Sequence, residues 1–453
     1  MATAETARRG AEPGRGGGMF RALAGREYRL FWAGAFLSNA GTWMQTVAQS
    51  WLVLELTDSA LWLGFDNFMA TFPGLVLTLP GGVFADLFDR RRLLLLTQVG
   101  AGLSALALAA LVAAGAVNIW AVLALTFWTG CCYAVSGPAY LAMTADLVER
   151  RDLPNAVALF TTQFQLSRVV GPLLAALTIR HFGLAGCFFA NALSYVAVVA
   201  GLALMRPLKS GGRAGEEAND PGEGADGSEA GATAAEPEGA AAGGEGAGAR
   251  RDWRGAWRDL LEGVAYVRTR PRVWLVLICS VVLSLLGTSY LVLLPVVSRD
   301  RFGWGESGLS LMMGVAGAGA LCGALLVAHL GDINRKGRFV LGASLGTGLF
   351  VVGFGLAGWP ALALALLFVV GCLRVCFYAV GSTLLQQLVS DRMRGRVMSM
   401  WILTFVGTMP FGSLLAGAAA VAYGERPTLA ACGLVVALFV LWVALRRPQL
   451  REA

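Results

Sequence analysis

The sequence predicts an all-α membrane protein with twelve transmembrane helices in two pseudo-symmetric six-helix bundles. Three observations carry that reading. Hydrophobic residues make up 56% of the chain and charged ones 14%, more apolar surface than a soluble core can hide. Apolar runs of about 20 residues, the length a helix needs to cross the hydrocarbon core, recur along the chain. Segments of the first six runs reappear among the last six. Strict alternation of apolar and polar residues is missing, which argues against a β-barrel.

The first 18 residues, MATAETARRGAEPGRGGG, are polar and lack the apolar core of a secretory signal. They begin a cytoplasmic tail over 1–28, so the first spanning helix directs insertion. Spanning helices are expected at 29–54, 61–85, 93–115, 118–146, 155–179 and 184–205, an N-terminal bundle over 29–205. A second set is expected at 273–297, 304–330, 338–357, 360–389, 396–423 and 427–446, a C-terminal bundle over 271–446, followed by a tail over 447–453. Between the bundles lies a linker, 206–252. Its stretch 211–249 is Gly, Ala and Glu with no aromatic residue, has nothing to bury, and is expected to be disordered. It reads as a plain linker or as an acidic docking tail. Over 253–270, Trp253, Trp257, Leu260, Leu261, Val264 and Val267 recur at helical spacing, with Arg254, Arg258, Asp259 and Glu262 on other faces. That pattern is an amphipathic helix lying in the membrane interface.

Loop arginines set the orientation. Both termini, the 86–92 and 147–154 turns, the central loop and the turns near 331–338 and 391–396 hold nearly all of the loop Lys and Arg, against Arg180, Arg299, Arg301 and Arg426 opposite. Both termini are therefore expected in the cytoplasm. The net charge of +7 has this origin and does not suggest nucleic acid. The eight cysteines all fall inside apolar segments, as small apolar fillers, and with two histidines no metal site is expected. No Walker A motif is present, so ATP is not the direct driver. GPAYLAMTADLVERRDLPNAVALF in the first half matches GSTLLQQLVSDRMRGRVMSMW in the second. Each leads into a helix with an expected break, at Gly171-Pro172 and at Pro410-Phe411-Gly412. Two such halves put a site at their interface, served by alternating access.

The stretch GGVFADLFDRRR resembles the G-x-x-x-D-x-x-x-R-R loop signature of the major facilitator superfamily, with Gly82, Asp86, Arg90 and Arg91 at its positions. Asp332, Arg335 and Arg338 partly match in the second half. Gly82 would let another helix approach closely. Asp86 would face the positive N-terminus of helix 11, expected near Arg394-Gly395-Arg396, and Arg90 would bridge Asp86 to Asp146. Such a cluster is a gating latch; the alternative is topology anchoring alone. The stretches 38–60, 136–159 and 384–400 further resemble the enterobactin-exporter-like branch, also called transmembrane secretion effector. That resemblance covers the chain outside the linker and termini. It implies proton-driven export of a small molecule from a bacterial plasma membrane, with no cofactor and no enzymatic step. Drug–proton antiporters carry a GPxxGG element on helix 5. Here Ser167, Gly171, Pro172, Ala175 and Ala176 match it in part, as an antiport element or as tight packing against helix 8.

Few ionisable residues lie deep. A charge at the bilayer centre costs about 2.5–3.5 kcal/mol on insertion scales, so each needs a cavity or a partner. Asp66, in LGFDNFM, is the proton-coupling candidate or else a polar contact near a helix end. Arg374 on helix 10 and Arg168 on helix 5 would bind an anionic substrate or pair structurally. The family's helix-4 arginine motif is absent from WTGCCYAVSG. Asn39, Trp43, Gln45, Gln49, Gln163, Phe164 and Tyr378 would line an amphipathic cavity, or make interhelical hydrogen bonds.

The function expected is a secondary transporter, a monomeric proton-coupled exporter of a hydrophobic or amphipathic molecule such as a siderophore or drug. The alternatives are an importer or facilitator on the same fold and a non-transporting scaffold or sensor. Since 211–249 cannot form a folded sensor domain, deleting about 30 of its residues should leave transport intact, because the remaining chain still bridges the halves. Substrate efflux at matched expression tests this; lost efflux would overturn it.

Overall fold

The computed structural model describes residues 20–87, 89–205, 262–331 and 333–447, without the side chains of 78–87. The linker 206–252 and the first part of the amphipathic segment lie outside the described residues, as does Asp332. Regular structure among the described residues is helical. The first half contains α1 (Arg26–Thr57), α2 (Ala60–Leu87), α3 (Arg90–Ala113), α4 (Ile119–Asp146) and α5 (Leu153–Leu204). The second contains α6 (Pro271–Gly287), α7 (Ser289–Val296), α8 (Gly305–Leu330), α9 (Lys336–Leu356), α10 (Pro360–Leu388), α11 (Asp391–Val406), α12 (Met409–Tyr423) and α13 (Glu425–Arg446).

These helices make twelve spans. The 52 residues of α5 are too long for one crossing and form two limbs that meet at Gly183. Its φ of 67° and ψ of −171° belong to a region that only glycine occupies readily. The limbs fold back on each other, since the Cys187 thiol lies 3.9 Å from the Ala175 carbonyl oxygen. Short connections end in side-chain caps. Asp89 accepts from the Arg92 amide at 2.8 Å and opens α3; Asn118 accepts from the Ala121 amide at 3.0 Å and opens α4.

Three details differ from the sequence expectation. The seventh span is interrupted at Thr288, separating α6 from α7, and closes in a π turn over Val297–Arg301. The eleventh starts at Asp391 instead of 396, with an acidic residue in its first turn to complement the helix dipole. It breaks at Gly407-Thr408, where Pro410 cannot donate to the Val406 carbonyl. Gly171-Pro172, by contrast, does not interrupt α5. Pro172 leaves the Arg168 carbonyl without its helical donor, and that oxygen abuts Gly317 of α8.

The two halves pair their helices in the same order. In the first, α2 and α3 pack on α4; in the second, α8 and α9 pack on α10. The α8–α10 contact is backbone on backbone: Gly319, Gly323 and Gly371 meet the carbonyls of Phe368, Cys372 and Ala316. Residues 262–268 form a helical turn before α6. It packs on α11, with Gly263 against Met400, Val267 fully buried, and Glu262 paired to Arg396 at 2.8 Å.

The halves meet along two seams. On one, α5 lies against α8. On the other, α2 lies against α12, where a Cβ on Gly64 would stand 2.5 Å from the Ser413 carbonyl oxygen. A Cβ on Gly417 would likewise stand 2.5 Å from the Ala60 carbonyl oxygen. Both contacts lie near the α1–α2 turn, so the molecule is closed at that end. Backbone packing without side chains tolerates no added volume. Gly371→Val should therefore destabilise the fold by about 1–3 kcal/mol, read as a lower melting midpoint in detergent. Gly395→Ala, with open space around it, should leave the midpoint unchanged.

Candidate functional site

Asp66 sits in the first half with its carboxylate turned toward α1 and α4, 7% exposed. Gln49 Nε2 donates to both carboxylate oxygens at 2.9 Å. Thr126 Oγ1 of α4 lies 2.8 Å from Asp66 Oδ1, 2.8 Å from Gln49 Nε2 and 2.8 Å from the Val122 carbonyl oxygen. Among the described residues no basic side chain pairs with Asp66.

Counting hydrogens shows what this cluster can do. The Gln49 amide offers two and Thr126 one, yet five donor–acceptor contacts are drawn between them, Asp66 and Val122. Two contacts are thus left without a donor; a proton on Asp66 Oδ1 would supply one of them, toward Thr126 Oγ1, whose own hydrogen would then turn to Val122. Among the described residues no cation competes for that position.

The network continues across the first half. Gln45 Nε2 donates to Gln49 Oε1 at 3.3 Å, Asn191 Nδ2 to Gln45 Oε1 at 2.7 Å, and Ser194 packs its hydroxyl on Asn191 Oδ1 at 3.0 Å. Gln45 and Gln49 are thus buried between helices, joined to Asp66. Asn39 reaches Gln163 at 3.4 Å. Trp43 packs edge-on to Phe164 at 6.5 Å, and the Arg168 guanidinium lies 5.1 Å from the Trp43 ring centre, a cation–π contact. Ser167 bonds back to the Gln163 carbonyl. Gly171 lies against Trp43 and Ala40 of α1, while Pro172 and Ala175 are buried and Ala176 half-buried. Arg374 is 1% exposed on α10; one turn on, Tyr378 packs among Phe377, Trp401 and Phe405 at 5.2–5.9 Å.

The latch residues fall in separate places. The side chain of Asp86, the surroundings of Gly82 and all of Asp332 lie outside what the structure describes. Arg90 pairs with Asp146 at 2.7 Å, joining α3 to α4, and Arg91 donates to the Ala203 carbonyl at 3.2 Å. Arg396 pairs with Glu262 in its own half. Arg335, at φ 122°, and Arg338 are exposed before and within α9.

Other contacts were not anticipated. At the closed end, Arg299 of the π turn pairs with Asp58 of the other half at 2.6 Å and with Asp300 at 2.6 Å. Buried Arg301 donates to the Phe354 carbonyl at 2.8 Å and pairs with Glu425 at 3.1 Å. Ser413 Oγ donates to Asn67 Oδ1 across the α2–α12 seam at 2.9 Å. The hydroxyls of Tyr133 and Tyr195 lie 2.5 Å apart, with Thr42 2.6 Å from Tyr133.

Twelve spans in two halves that meet in glycine-lined seams, with polar groups buried between them, define a transporter of the major facilitator type. The family model described as transmembrane secretion effector matches residues 18–218 and 255–453, and the chain belongs to that family. It is 27% identical over 431 residues to the multidrug efflux pump Tap of Mycolicibacterium fortuitum, covering 92% of this chain and 95% of that one. It is 22% identical over 442 residues to the enterobactin exporter EntS of Shigella boydii, covering 94% and 93%. A match to the staphyloferrin A transporter of Staphylococcus aureus, 27% identical, spans 38% of this chain and less than half, 43%, of that relative. Among solved structures, a POT family transporter in complex with 5-aminolevulinic acid superposes with a TM-score of 0.68 at 13% identity over 94% of this chain and 97% of that one. A bacterial homologue of the human lysosomal transporter Spinster, in an inward-facing conformation, gives 0.64 at 13% over 98% and 100%. These two show the fold.

Asp58 is 81% exposed, so its pair with Arg299 is weak, of order 0–1 kcal/mol. Asp58→Asn should leave the melting midpoint within error. It should raise thiol-reagent access to the closed end no more than about five-fold, measured on a cysteine introduced at Leu56.

Proposed function

We propose that the chain is a proton-coupled exporter of a hydrophobic or amphipathic small molecule of the siderophore or drug kind, working by alternating access, with both termini in the cytoplasm. The observation that carries this is Asp66: a buried carboxylate without a cation, in a hydrogen-bond network that has room for one more proton. The printed functions of the efflux pump and siderophore-exporter relatives support the direction and the substrate kind. Arginine placement in the loops supports the orientation.

In this reading a proton enters from the closed end, once that end opens, and leaves toward the cytoplasm as substrate goes out. One pH unit supplies about 1.4 kcal/mol per proton, and 100 mV adds about 2.3 kcal/mol per charge moved. Arg168 on α5 and Arg374 on α10, both buried, hold the anionic or electron-rich part of the substrate. Trp43, Phe164 and Tyr378 supply its apolar contacts. The Gly82, Asp86, Arg90 and Asp146 group, with Arg396, serves as the latch of the cytoplasmic end.

Two variants separate coupling from affinity. Asp66→Asn should abolish uphill transport driven by an imposed pH gradient in vesicles and leave substrate binding measurable, because the amide cannot titrate. Arg374→Ala should weaken binding about ten-fold or more without any gradient, the loss of a hydrogen bond to a charged group. Uphill transport at the parent rate by Asp66→Asn would place the proton elsewhere.

A further inference from the structure

Asp66 and the α2–α12 seam share two turns of one helix. The Asp66 carboxylate points to Gln49 and Thr126. Two residues before it, Gly64 faces α12; one residue after it, Asn67 accepts from Ser413 of α12. The contacts repeat at one-turn spacing on both helices, Ala60 and Gly64 against Ser413 and Gly417. A Cβ on Gly417 would also come within 3.2 Å of the Cα atoms of Leu61 and Gly64. Backbones this close have no side chains to absorb a displacement. Any movement of α2 that reshapes the surroundings of Asp66 is therefore a movement of the seam.

We propose that Gly64, Asn67, Ser413 and Gly417 are positioning residues of the proton step, which convert the charge state of Asp66 into closure of the end near the α1–α2 turn. The inference rests on the reading that Asp66 carries the proton. With the proton on Oδ1, Asp66 donates to Thr126, Thr126 donates to Val122, and the site is satisfied without water. The seam then stays shut, as it is here. When the proton passes to water, the Thr126 hydroxyl turns back to Oδ1. The bare carboxylate then requires hydration, since burying an unpaired charge is costly. Water reaches it when α2 leaves α12, and the Asn67–Ser413 bond breaks with that step.

Other charged groups on the packed elements are few. At the seam end of α1 they are Glu55, which accepts from Trp51 Nε1 at 2.6 Å, and Asp58, paired with Arg299; Arg26, Glu27 and Arg29 sit at its other end. Between Ala60 and Asp86 on α2 only Asp66 is charged; α4 has no charged residue before Asp146, and α12 has none. Next to α12, Glu425 opens α13 and pairs with Arg301, Asp300 of the π turn pairs with Arg299, and α11 carries Asp391, Arg392, Arg394 and Arg396 in its first turns, at the opposite end. A pH response of the seam that survives in Glu55→Gln, Asp58→Asn, Asp300→Asn and Glu425→Gln and is lost in Asp66→Asn therefore belongs to Asp66.

The test measures the distance between spin labels at Leu56→Cys and Val421→Cys, both exposed and outside the seam. It uses the full chain in lipid nanodiscs, with native cysteines replaced and transport retained. In the parent the distance should lengthen with rising pH through one midpoint. In Asp66→Asn it should stay short at every pH. Ser413→Ala and Asn67→Ala should each raise the open fraction at low pH about five-fold, the effect of one lost hydrogen bond, and move the midpoint downward. Gly64→Ala should hold the seam open at every pH while substrate binding persists. A parent distance that ignores pH, with Asp66→Asn still abolishing proton-driven transport, would overturn the seam inference and leave the role of Asp66 standing. A distance that still follows pH in Asp66→Asn would overturn both. An open fraction unchanged by Ser413→Ala and Asn67→Ala would remove them from the proton step.

Discussion

A carboxylate inside an apolar bundle must have both oxygens satisfied by the protein, and much of the first half is arranged around that demand. Gln49 and Thr126 bond the Asp66 carboxylate directly; Gln45 and Asn191 orient Gln49 in turn. The chain of amides ties α1, α2, α4 and the second limb of α5 together. None of its members can change rotamer alone, because each leaves its neighbour without a partner in a medium where that is expensive. The polar network therefore behaves as one unit.

The spans were legible because the bilayer sets their length and hydropathy directly. Asp66 was legible for the same reason, since a lone carboxylate in an apolar run is conspicuous. Thr126 was not. A threonine in a membrane helix ordinarily bonds its own preceding carbonyl, as this one does to Val122, so nothing in ALTFWTG marks it as a partner of α2. Asn191, in CFFANALS, carried a weak mark as a buried amide among apolar residues. The interruption at Thr288 had only a weak local signal, the Gly287-Thr288-Ser289 triplet, because the break lies seven residues before Pro295. For Gln45 and Gln49 the sequence left cavity lining and interhelical bonding open, and the packing puts them in a bonded chain between helices.

The seams obey a different constraint. Within membranes there is little hydrophobic gain in bringing helices together, so close contact depends on small residues and backbone fit. Glycine and alanine serve that purpose within the second half, at Gly319, Gly323 and Gly371, and between halves, at Gly64, Gly317 and Gly417. The first set holds a bundle rigid; the second lets two bundles touch without interdigitating. Surfaces that touch without interlocking can part and meet again without repacking their side chains.

Arg168 shows what such geometry means for a buried cation. Its carbonyl, to which Pro172 cannot donate, rests on Gly317 of the other half, and its guanidinium covers Trp43 of its own. The residue stands where α1, α5 and α8 converge. If the bundles rock about this point, it acts as a fulcrum: the ends of the helices sweep long arcs and Arg168 hardly travels. A charge at the pivot is not dragged through the bilayer during the stroke, so the cost of moving it does not recur in every cycle.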